Sequence, residues 1–277
     1  MTLVTTSPPR HPRGAKFVTI RPMTITEPPA APAPTTAAAR AVRATKTYGS
    51  GDTLVTALDQ IEVEFAPRRF TAIMGPSGSG KSTLMHCLAG LDELTSGQVF
   101  IGDVDLTALS EKRLTTLRRD KVGFVFQAFN LVPTLNALEN ITLPMSLAGR
   151  STDQAWVDHV IDTVGLRDRL THRPSELSGG QQQRVAVARA LASKPEIIFA
   201  DEPTGNLDSN SGGEILNFMR RAVDEFDQTI VMVTHDPLAA SHADRVVYLV
   251  DGKIVQDMAD PTPEAIIDQM KHLELGA

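Results

Sequence analysis

The stretch that decides the fold is Gly75-Pro76-Ser77-Gly78-Ser79-Gly80-Lys81-Ser82-Thr83. It fits the pattern G-x-x-x-x-G-K-[ST], and it lies between an apolar run of strand length at residues 71–74 and a helical run at residues 84–88. Glycines let the backbone approach an anion closely, and the N–H groups that open a helix attract phosphate. All nine residues are therefore candidate nucleotide-binding residues. We expect Lys81 to reach the β- and γ-phosphates and the Ser82 hydroxyl to ligate Mg²⁺.

Outward from this phosphate loop, short apolar runs alternate with helical patterns. The apolar runs are rich in β-branched residues and do not alternate with polar ones, which is typical of strands buried on both faces; they cover residues 71–74, 122–126, 197–200, 229–233 and 245–250. Helical patterns cover residues 182–192 and 211–226. Strands separated by helices predict an α/β fold of the P-loop NTPase type with a mostly parallel central sheet. Residues 54–65 instead read as two strand-like pieces with polar alternation, which predicts an antiparallel edge near the N-terminus.

Composition excludes several classes of protein. The chain has 277 residues, a net charge of −6 and one cysteine, Cys87. The negative charge argues against a nucleic-acid binder, and a single cysteine allows no disulfide framework or multi-cysteine zinc site. The longest uncharged run, residues 122–138, contains several polar residues and is too short to span a membrane.

The first forty residues differ from the rest in composition. They contain eight of the 18 prolines, five basic residues and one acidic residue, with no apolar run typical of a secretory signal. We therefore predict a disordered tail at residues 1–40 and one folded domain at residues 41–277. The tail is either simply solvated or contacts a membrane or partner through its basic residues.

Two carboxylates follow the apolar run at residues 197–200. Asp201 ends a predicted central strand, from which its carboxylate can hold Mg²⁺ on the side opposite Ser82. Glu202 is one residue further along and can take or orient the proton of an attacking water. The alternative for both is a solvated acidic turn before Pro203.

A second glycine-rich helix start follows later, at Leu177-Ser178-Gly179-Gly180-Gln181. It is a second anion site, and one chain cannot easily use both sites on one triphosphate. With the phosphate loop before it and the two carboxylates after it, this pentapeptide resembles the signature of ATP-binding cassette (ABC) ATPases. The resemblance covers roughly residues 41–253, and its remaining motifs occur in order at Tyr48, Gln127, Asn206-Leu207-Asp208 and His235.

The resemblance implies a role for each of these residues. Tyr48 stacks on adenine, Gln127 contacts Mg²⁺ and the attacking water, Asp208 belongs to a loop that crosses between subunits, and His235 contacts the γ-phosphate. The alternatives are a core or edge tyrosine, a capped or solvated glutamine and a structural histidine.

The resemblance also implies partners. Two cassettes dimerise head to tail, so that each ATP lies between the phosphate loop of one chain and Ser178, Gly179, Gly180 and Gln181 of the other. Because Glu202 and His235 are both present, we expect hydrolysis. An inserted α-helical subdomain, at about residues 128–176, touches a transmembrane permease. Phe129, Leu131 and Leu135 either contact that permease or pack internally.

The local sequence at residues 123–140 is similar to the lipoprotein-release and macrolide-export subfamily. This implies a cassette in the cytoplasm that is peripheral on the inner face of the membrane through its permease. It drives an exporter or a complex that transmits force across the membrane, with ATP and Mg²⁺ as cofactors, and nucleic acid is not a partner. The alternative is an ATP-dependent scaffold or regulatory cassette that acts on a membrane partner without moving a substrate.

Overall fold

The structure, a computed structural model, describes residues 37–275. Its strands are, in chain order, β1 (Ala39–Tyr48), β2 (Val55–Phe65), β3 (Phe70–Met74), β4 (Ser96–Ile101), β5 (Val104–Asp105), β6 (Val122–Phe126), β7 (Ile197–Asp201), β8 (Ile230–Val233), β9 (Arg245–Val250) and β10 (Lys253–Ala259). Its α-helices are α1 (Lys81–Leu88), α2 (Glu111–Lys121), α3 (Ala137–Ala148), α4 (Gln154–Thr163), α5 (Gly179–Ala192), α6 (Ser209–Phe226), α7 (Pro237–Ala240) and α8 (Pro263–Leu275). No helix among these residues is both long and apolar enough to cross a membrane.

The boundary of the predicted tail needs a correction. Residues 1–36 lie outside the described residues, but Ala39 and Arg40 belong to β1 and not to a tail. Ala39 pairs with Phe65 on one side and Ile101 on the other, and its side chain is fully buried. The Arg40 guanidinium lies 3.8 Å from the centre of the Phe100 ring, so its charge is accommodated inside the sheet.

The central sheet has six strands in the order β10-β9-β3-β8-β7-β6. All neighbouring pairs are parallel except β9 and β10. This confirms the prediction of a mostly parallel sheet. Alternate residues of each strand enter two apolar layers: Ile73 packs against α1 on one face, and Ala72 and Met74 pack against the helices on the other. Burial on both faces explains why the strand sequences did not alternate with polar residues.

The smaller sheet is antiparallel, with the order β2-β1-β4-β5. It covers the face of the central sheet that carries α1, and the two share one apolar layer that includes Cys87. As predicted from residues 54–65, β2 is an edge strand. It is one strand and not two, with an irregularity at Gln60, whose φ is +50°.

A helical insertion, α3 and α4, lies between β6 and α5 and packs on α5. The side chain of Asn136 caps α3 and accepts from Glu139 N–H at 2.9 Å, and Gly149 ends this helix in the left-handed region. Ile141 of α3 and Val160 of α4 share the apolar layer of Val185 in α5. The P-loop fold with an inserted helical subdomain is thus as predicted.

Candidate nucleotide-binding site

The site lies at the carboxyl ends of the parallel strands, where ligands bind in open α/β sheets. The phosphate loop follows β3, Glu202 follows β7, and His235 follows β8. Together they border a cavity of about 540 Å³, which is lined by Ala57, Ser77, Gly78, Gly80, Lys81, Ser82, Thr83, Glu202 and His235. Residues far apart in the sequence therefore meet at one edge of the sheet.

Glycine is required where the phosphate loop presses against other backbone. Gly80 has a φ of +100°, and a Cβ there would lie 2.3 Å from the carbonyl oxygen of Ala57. Gly75 has a φ of +148°, and a Cβ there would lie 1.9 Å from the carbonyl oxygen of Leu249. Gly75, Pro76 and Ser79 do not line the cavity among the described residues, so they shape the loop from behind.

Lys81 closes over the loop that precedes it. Its Nζ donates to the carbonyl oxygens of Gly75 at 2.9 Å and Pro76 at 2.7 Å. An ammonium has three N–H donors, so one is still available to a phosphate. Burial lowers the pKa of Lys81, while the nearby charges of Glu202 and Asp201 oppose that shift. The two hydrogen bonds to Gly75 and Pro76 hold the lysine at the wall of the cavity.

Ser82 and Asp201 lie within hydrogen-bond distance of each other, whereas the sequence predicted them on opposite sides of a Mg²⁺ ion. The Ser82 hydroxyl donates to Asp201 Oδ1 at 3.2 Å, although 119 positions separate the two residues. Burial raises the pKa of the Asp201 carboxyl, and the hydrogen bond from Ser82 opposes that shift. His86 Nε2, which the sequence did not single out, lies 3.9 Å from Asp201 Oδ2.

Glu202 and His235 form a pair at the rim of the cavity. His235 Nδ1 lies 3.0 Å from Glu202 Oε1, within hydrogen-bond distance. The backbone of Glu202 has a φ of +44°, which is unfavourable for a residue with a side chain. Its N–H donates to the carbonyl oxygen of Val233 at 2.9 Å, which fixes the turn after β7.

The signature pentapeptide opens α5 through a capping box. Ser178 Oγ accepts from Gln181 N–H at 3.3 Å, and Gln181 Oε1 accepts from Ser178 N–H at 2.9 Å. Of the residues that the structure describes, those lining the phosphate cavity do not include Ser178, Gly179, Gly180 or Gln181. The signature pentapeptide is thus separate from the cavity that the phosphate loop borders.

Tyr48 ends β1 with 43% of its surface exposed. Its hydroxyl donates to Asp92 Oδ2 at 2.6 Å, and Lys46 Nζ donates to Asp92 Oδ1 at 2.6 Å. The Lys46 ammonium also lies 4.8 Å from the centre of the Tyr48 ring. Burial opposes the ionisation of Asp92, but these two hydrogen bonds outweigh it and hold the pKa of this carboxyl below its ordinary value. The sequence did not identify Lys46 or Asp92, because Asp92 is 44 positions from Tyr48.

Gln127 and Asp208 lie on two loops that are joined by Asn206. Gln127 Nε2 donates to Asn206 Oδ1 at 3.1 Å, and Asn206 Nδ2 donates to the carbonyl oxygen of Gln127 at 2.9 Å. Asp208 caps α6 and accepts from the N–H groups of Asn210 and Ser211. Hydrogen bonds from Ser211 lower the pKa of Asp208. In the described part of the chain, neither Gln127 nor Asp208 lines the phosphate cavity.

Phe129, Leu131 and Leu135 do not line the large groove beside the helical insertion, within residues 37–275. Leu131 packs against the main apolar layer. Phe129 lies close to the signature, because a Cβ on Gly179 would be 3.8 Å from its ring. The packing of Leu131 agrees with the internal-packing alternative, whereas permease contact by Phe129 and Leu135 stays a prediction.

Comparison with known proteins agrees with this geometry. A family model described as "ABC transporter" matches residues 58–205. An uncharacterized ABC transporter ATP-binding protein of Mycobacterium tuberculosis is 46% identical over 211 residues, which cover 76% of this chain and 85% of that protein. The lipoprotein-releasing system ATP-binding protein LolD of Geobacter metallireducens is 46% identical over 215 residues, which cover 77% of this chain and 96% of LolD.

Two further relatives extend the comparison. The macrolide export ATP-binding/permease protein MacB of Marinobacter nauticus is 43% identical over 84% of this chain, which spans only 37% of MacB. The solved structure of the cassette MJ0796, a dimer in a post-hydrolysis state bound to ADP and Pi, has a TM-score of 0.73 and 40% identity. The match covers 81% of this chain and 99% of that one. The phosphate cavity, the paired carboxylates and these relatives lead to one conclusion: the chain belongs to the ABC transporter family, as an ATP-binding and ATP-hydrolysing subunit.

Proposed function

We propose that this chain acts as a head-to-tail dimer that holds ATP between facing subunits and uses its hydrolysis to drive a membrane permease. One observation carries the dimer: the signature residues lie outside the chain's own phosphate cavity. The phosphate loop and the signature of one chain cannot bind the same nucleotide. In a head-to-tail dimer, the phosphate loop of each chain can share a nucleotide with the signature of the other chain.

The signature has donors available for a partner's γ-phosphate. Ser178 Oγ accepts its capping bond, which leaves the hydroxyl proton free to donate. The N–H groups of Gly179 and Gly180 open α5, at the positive end of the helix dipole. ATP bound between two chains has its charge neutralised from both sides, and loss of the γ-phosphate removes that link.

Within one chain, each residue at the cavity has its own role in ATP hydrolysis. Lys81 stabilises the charge of the phosphoryl group being transferred, and the carboxylate of Glu202 orients the attacking water and accepts its proton. His235 holds Glu202 by the 3.0 Å contact and contacts the γ-phosphate. The ring of Tyr48 is exposed enough to stack on adenine. A scaffold that does not hydrolyse ATP is not favoured, because Glu202 and His235 are both in place.

We propose a Mg²⁺ site at Ser82 and Asp201, with Gln127 as a third contributor. Mg²⁺ prefers oxygen ligands such as a hydroxyl and a carboxylate. Ser82 Oγ and Asp201 Oδ1 lie 3.2 Å apart, so the two groups would be able to hold one ion together. Gln127 binds Asn206 through Nε2, which leaves Oε1 for the ion. Residues 37–275 contain no cluster of three or more His, Cys, Asp or Glu side chains suited to a metal. Mg²⁺ is usually held by one or two protein groups together with substrate phosphates, and Ser82 and Asp201 would supply those protein groups. When bound, the ion neutralises phosphate charge.

The permease docks, in our proposal, in a groove of about 440 Å³ between β6, α3 and α5, which we call the insertion groove. Its lining is mainly apolar with an arginine rim, and it comprises Leu91, Arg118, Arg119, Val122, Gly123, Phe124, Phe126, Asn130, Leu143, Pro144, Leu147, Arg189, Ala190 and Ser193. Leu147 is 72% exposed and belongs to the apolar lining of the groove, and a contiguous exposed apolar surface is typical of an interaction site. The groove includes Phe126, which precedes Gln127, so a docked segment lies one residue from the proposed site.

The relatives indicate which kind of permease. LolD is named for lipoprotein release and MacB for macrolide export. We therefore propose a complex of this class, an exporter or a machine that transmits force, with the chain in the cytoplasm and held at the inner face of the membrane by the permease.

The test uses proteoliposomes that contain a candidate permease of the lipoprotein-release or macrolide-export class. We expect the permease to raise ATP turnover by the wild-type chain, and Leu147→Asp to lose that stimulation while its turnover alone is unchanged. Val255→Asp, which alters an equally apolar exposed position on β10, is the matched control and should keep the stimulation. Stimulation that survives Leu147→Asp would exclude the insertion groove as the docking site.

A further inference from the structure

Gln183 is a polar side chain that is fully buried near the start of α5. Burying an amide without hydrogen bonds costs about 1–3 kcal/mol in proteins, so a buried glutamine needs partners. Its partners are two backbone carbonyls: Nε2 donates to Pro203 at 2.6 Å and to Phe126 at 3.3 Å. Among residues 37–275, Oε1 of Gln183 has no hydrogen-bond partner, so the two carbonyls, which can only accept, orient the amide through Nε2.

Each of these carbonyls is next to a residue of the proposed site. Pro203 directly follows Glu202, and Phe126 directly precedes Gln127. One side chain therefore holds the backbone beside both residues that we assign to the attacking water. It does so from the helix whose first turn is the signature.

The backbone that Gln183 holds is strained. Glu202 has a φ of +44°, and Phe129, just after Gln127, has a φ of +58°. Such conformations cost about 1–3 kcal/mol each and persist only where surrounding contacts enforce them. A second residue of α5, Arg189, donates to the carbonyl oxygens of Phe129 at 3.0 Å and Asn130 at 2.6 Å. Helix α5 thus donates hydrogen bonds to the backbone on both sides of Gln127.

We propose that Gln183 is a positioning residue that fixes the positions of Glu202 and Gln127 relative to α5. The proposal rests on the proposed function, which gives these residues their roles. Gln183 touches no reacting atom, and it acts through the backbone on either side of the site.

The first test is Gln183→Met, which keeps the length of the side chain but removes both donors. We expect kcat for ATP hydrolysis to fall at least about tenfold with KM within about twofold, because misplacement of a catalytic group slows chemistry more than binding. The matched control is Gln228→Met. Gln228 is also buried, and its Nε2 donates to the carbonyl of Pro195 at 3.0 Å, away from the cavity. It should lose a similar amount of thermal stability and keep its kcat.

A second variant, Gln183→Glu, distinguishes positioning from folding. A carboxyl buried against two carbonyls has a raised pKa, and only its protonated form can donate a hydrogen bond. Its turnover relative to wild type should therefore rise as the pH falls from about 8 to about 6. This readout decides the question even if Gln183→Met does not fold.

Three outcomes overturn the inference. They are an unchanged kcat in Gln183→Met, a loss of kcat in Gln228→Met as large as that in Gln183→Met, and a turnover of Gln183→Glu relative to wild type that does not depend on pH. The proposed function is tested separately by Glu202→Gln. If that variant loses turnover while Gln183→Met keeps it, only the role of Gln183 is wrong. If Glu202→Gln keeps turnover, the proposed role of Glu202 is wrong, and the role of Gln183, which depends on it, is refuted as well.

Discussion

Replacing Glu202 by glutamine changes one atom and leaves the shape of the site intact. The carboxylate lies at the rim of the phosphate cavity, with Oε1 3.0 Å from His235 Nδ1. A glutamine side chain can keep a hydrogen bond to His235 through its own oxygen, so the turn after β7 and the position of the histidine should survive. What is lost is the ability to accept a proton from water.

The size of the effect follows from that single loss. A positioned general base contributes about 10²–10⁴-fold to a reaction rate, which is about 2.7–5.5 kcal/mol of activation free energy. Lys81 and the loop N–H groups are untouched, so the affinity for ATP should stay within about twofold. We therefore expect Glu202→Gln to bind ATP normally, to turn it over at least about 100-fold more slowly, and to accumulate as an ATP-bound dimer.

The assay is phosphate release for turnover, with light scattering for the mass of the ATP-bound form. Asp236→Asn is the matched control. Asp236 is the next acidic residue after His235, and its carboxylate caps α7 by accepting from Leu238 N–H at 2.9 Å. It should lose some stability and keep most of its turnover. Hydrolysis by Glu202→Gln within about threefold of wild type would refute the role of this carboxylate.

Three further predictions follow from contacts around the cavity. Gly80→Ala should weaken ATP binding at least about tenfold in a nucleotide titration, because its Cβ would lie 2.3 Å from the backbone of Ala57; Gly213→Ala, which has open space around it, should bind normally. Tyr48→Ala should raise the Kd for ATP at least about fivefold and Tyr48→Phe by less than about twofold, since stacking needs the ring and not the hydroxyl; equal losses would contradict stacking. Hydrogen bonds hold the pKa of Asp208 below its unfolded value near 3.9, so its contribution to stability is present above that pH and is lost as the pH falls through the folded pKa. The Tm should therefore drop less between about pH 6 and pH 3 in Asp208→Asn than in the wild type, and equal drops would contradict this.

Much of the site is encoded locally and could be predicted. The phosphate loop needs glycine at positions that press against backbone, and it needs a strand before it and a helix after it, all of which are visible in the sequence. Asp201 and Glu202 end an apolar run, and parallel strands bring their carboxyl ends to one edge. The meeting of Ser82 with Asp201 follows from that topology alone.

The burial of individual side chains could not be predicted, because it depends on which other elements pack against each helix or strand. The sequence of α5 suggested one apolar face, but the helical insertion covers it on one side and the sheet on the other. Three consecutive glutamines therefore have different surroundings, and only the structure shows that Gln183 is the buried one. For the same reason the sequence left docking and internal packing open for Phe129, Leu131 and Leu135, and Leu147, which lines the groove, carried no local signal.

The central claim is that one ATP is shared by the phosphate loop of one chain and the signature of another. Lys81→Ala disables the phosphate loop and Ser178→Arg disables the signature, so each variant alone should be inactive. A mixed dimer regains one intact composite site, and with equal amounts and random pairing the mixture should recover roughly a quarter of the wild-type sites. Phosphate release by the mixture well above the sum of the two separate variants is the predicted result. Release that only equals that sum would contradict the account.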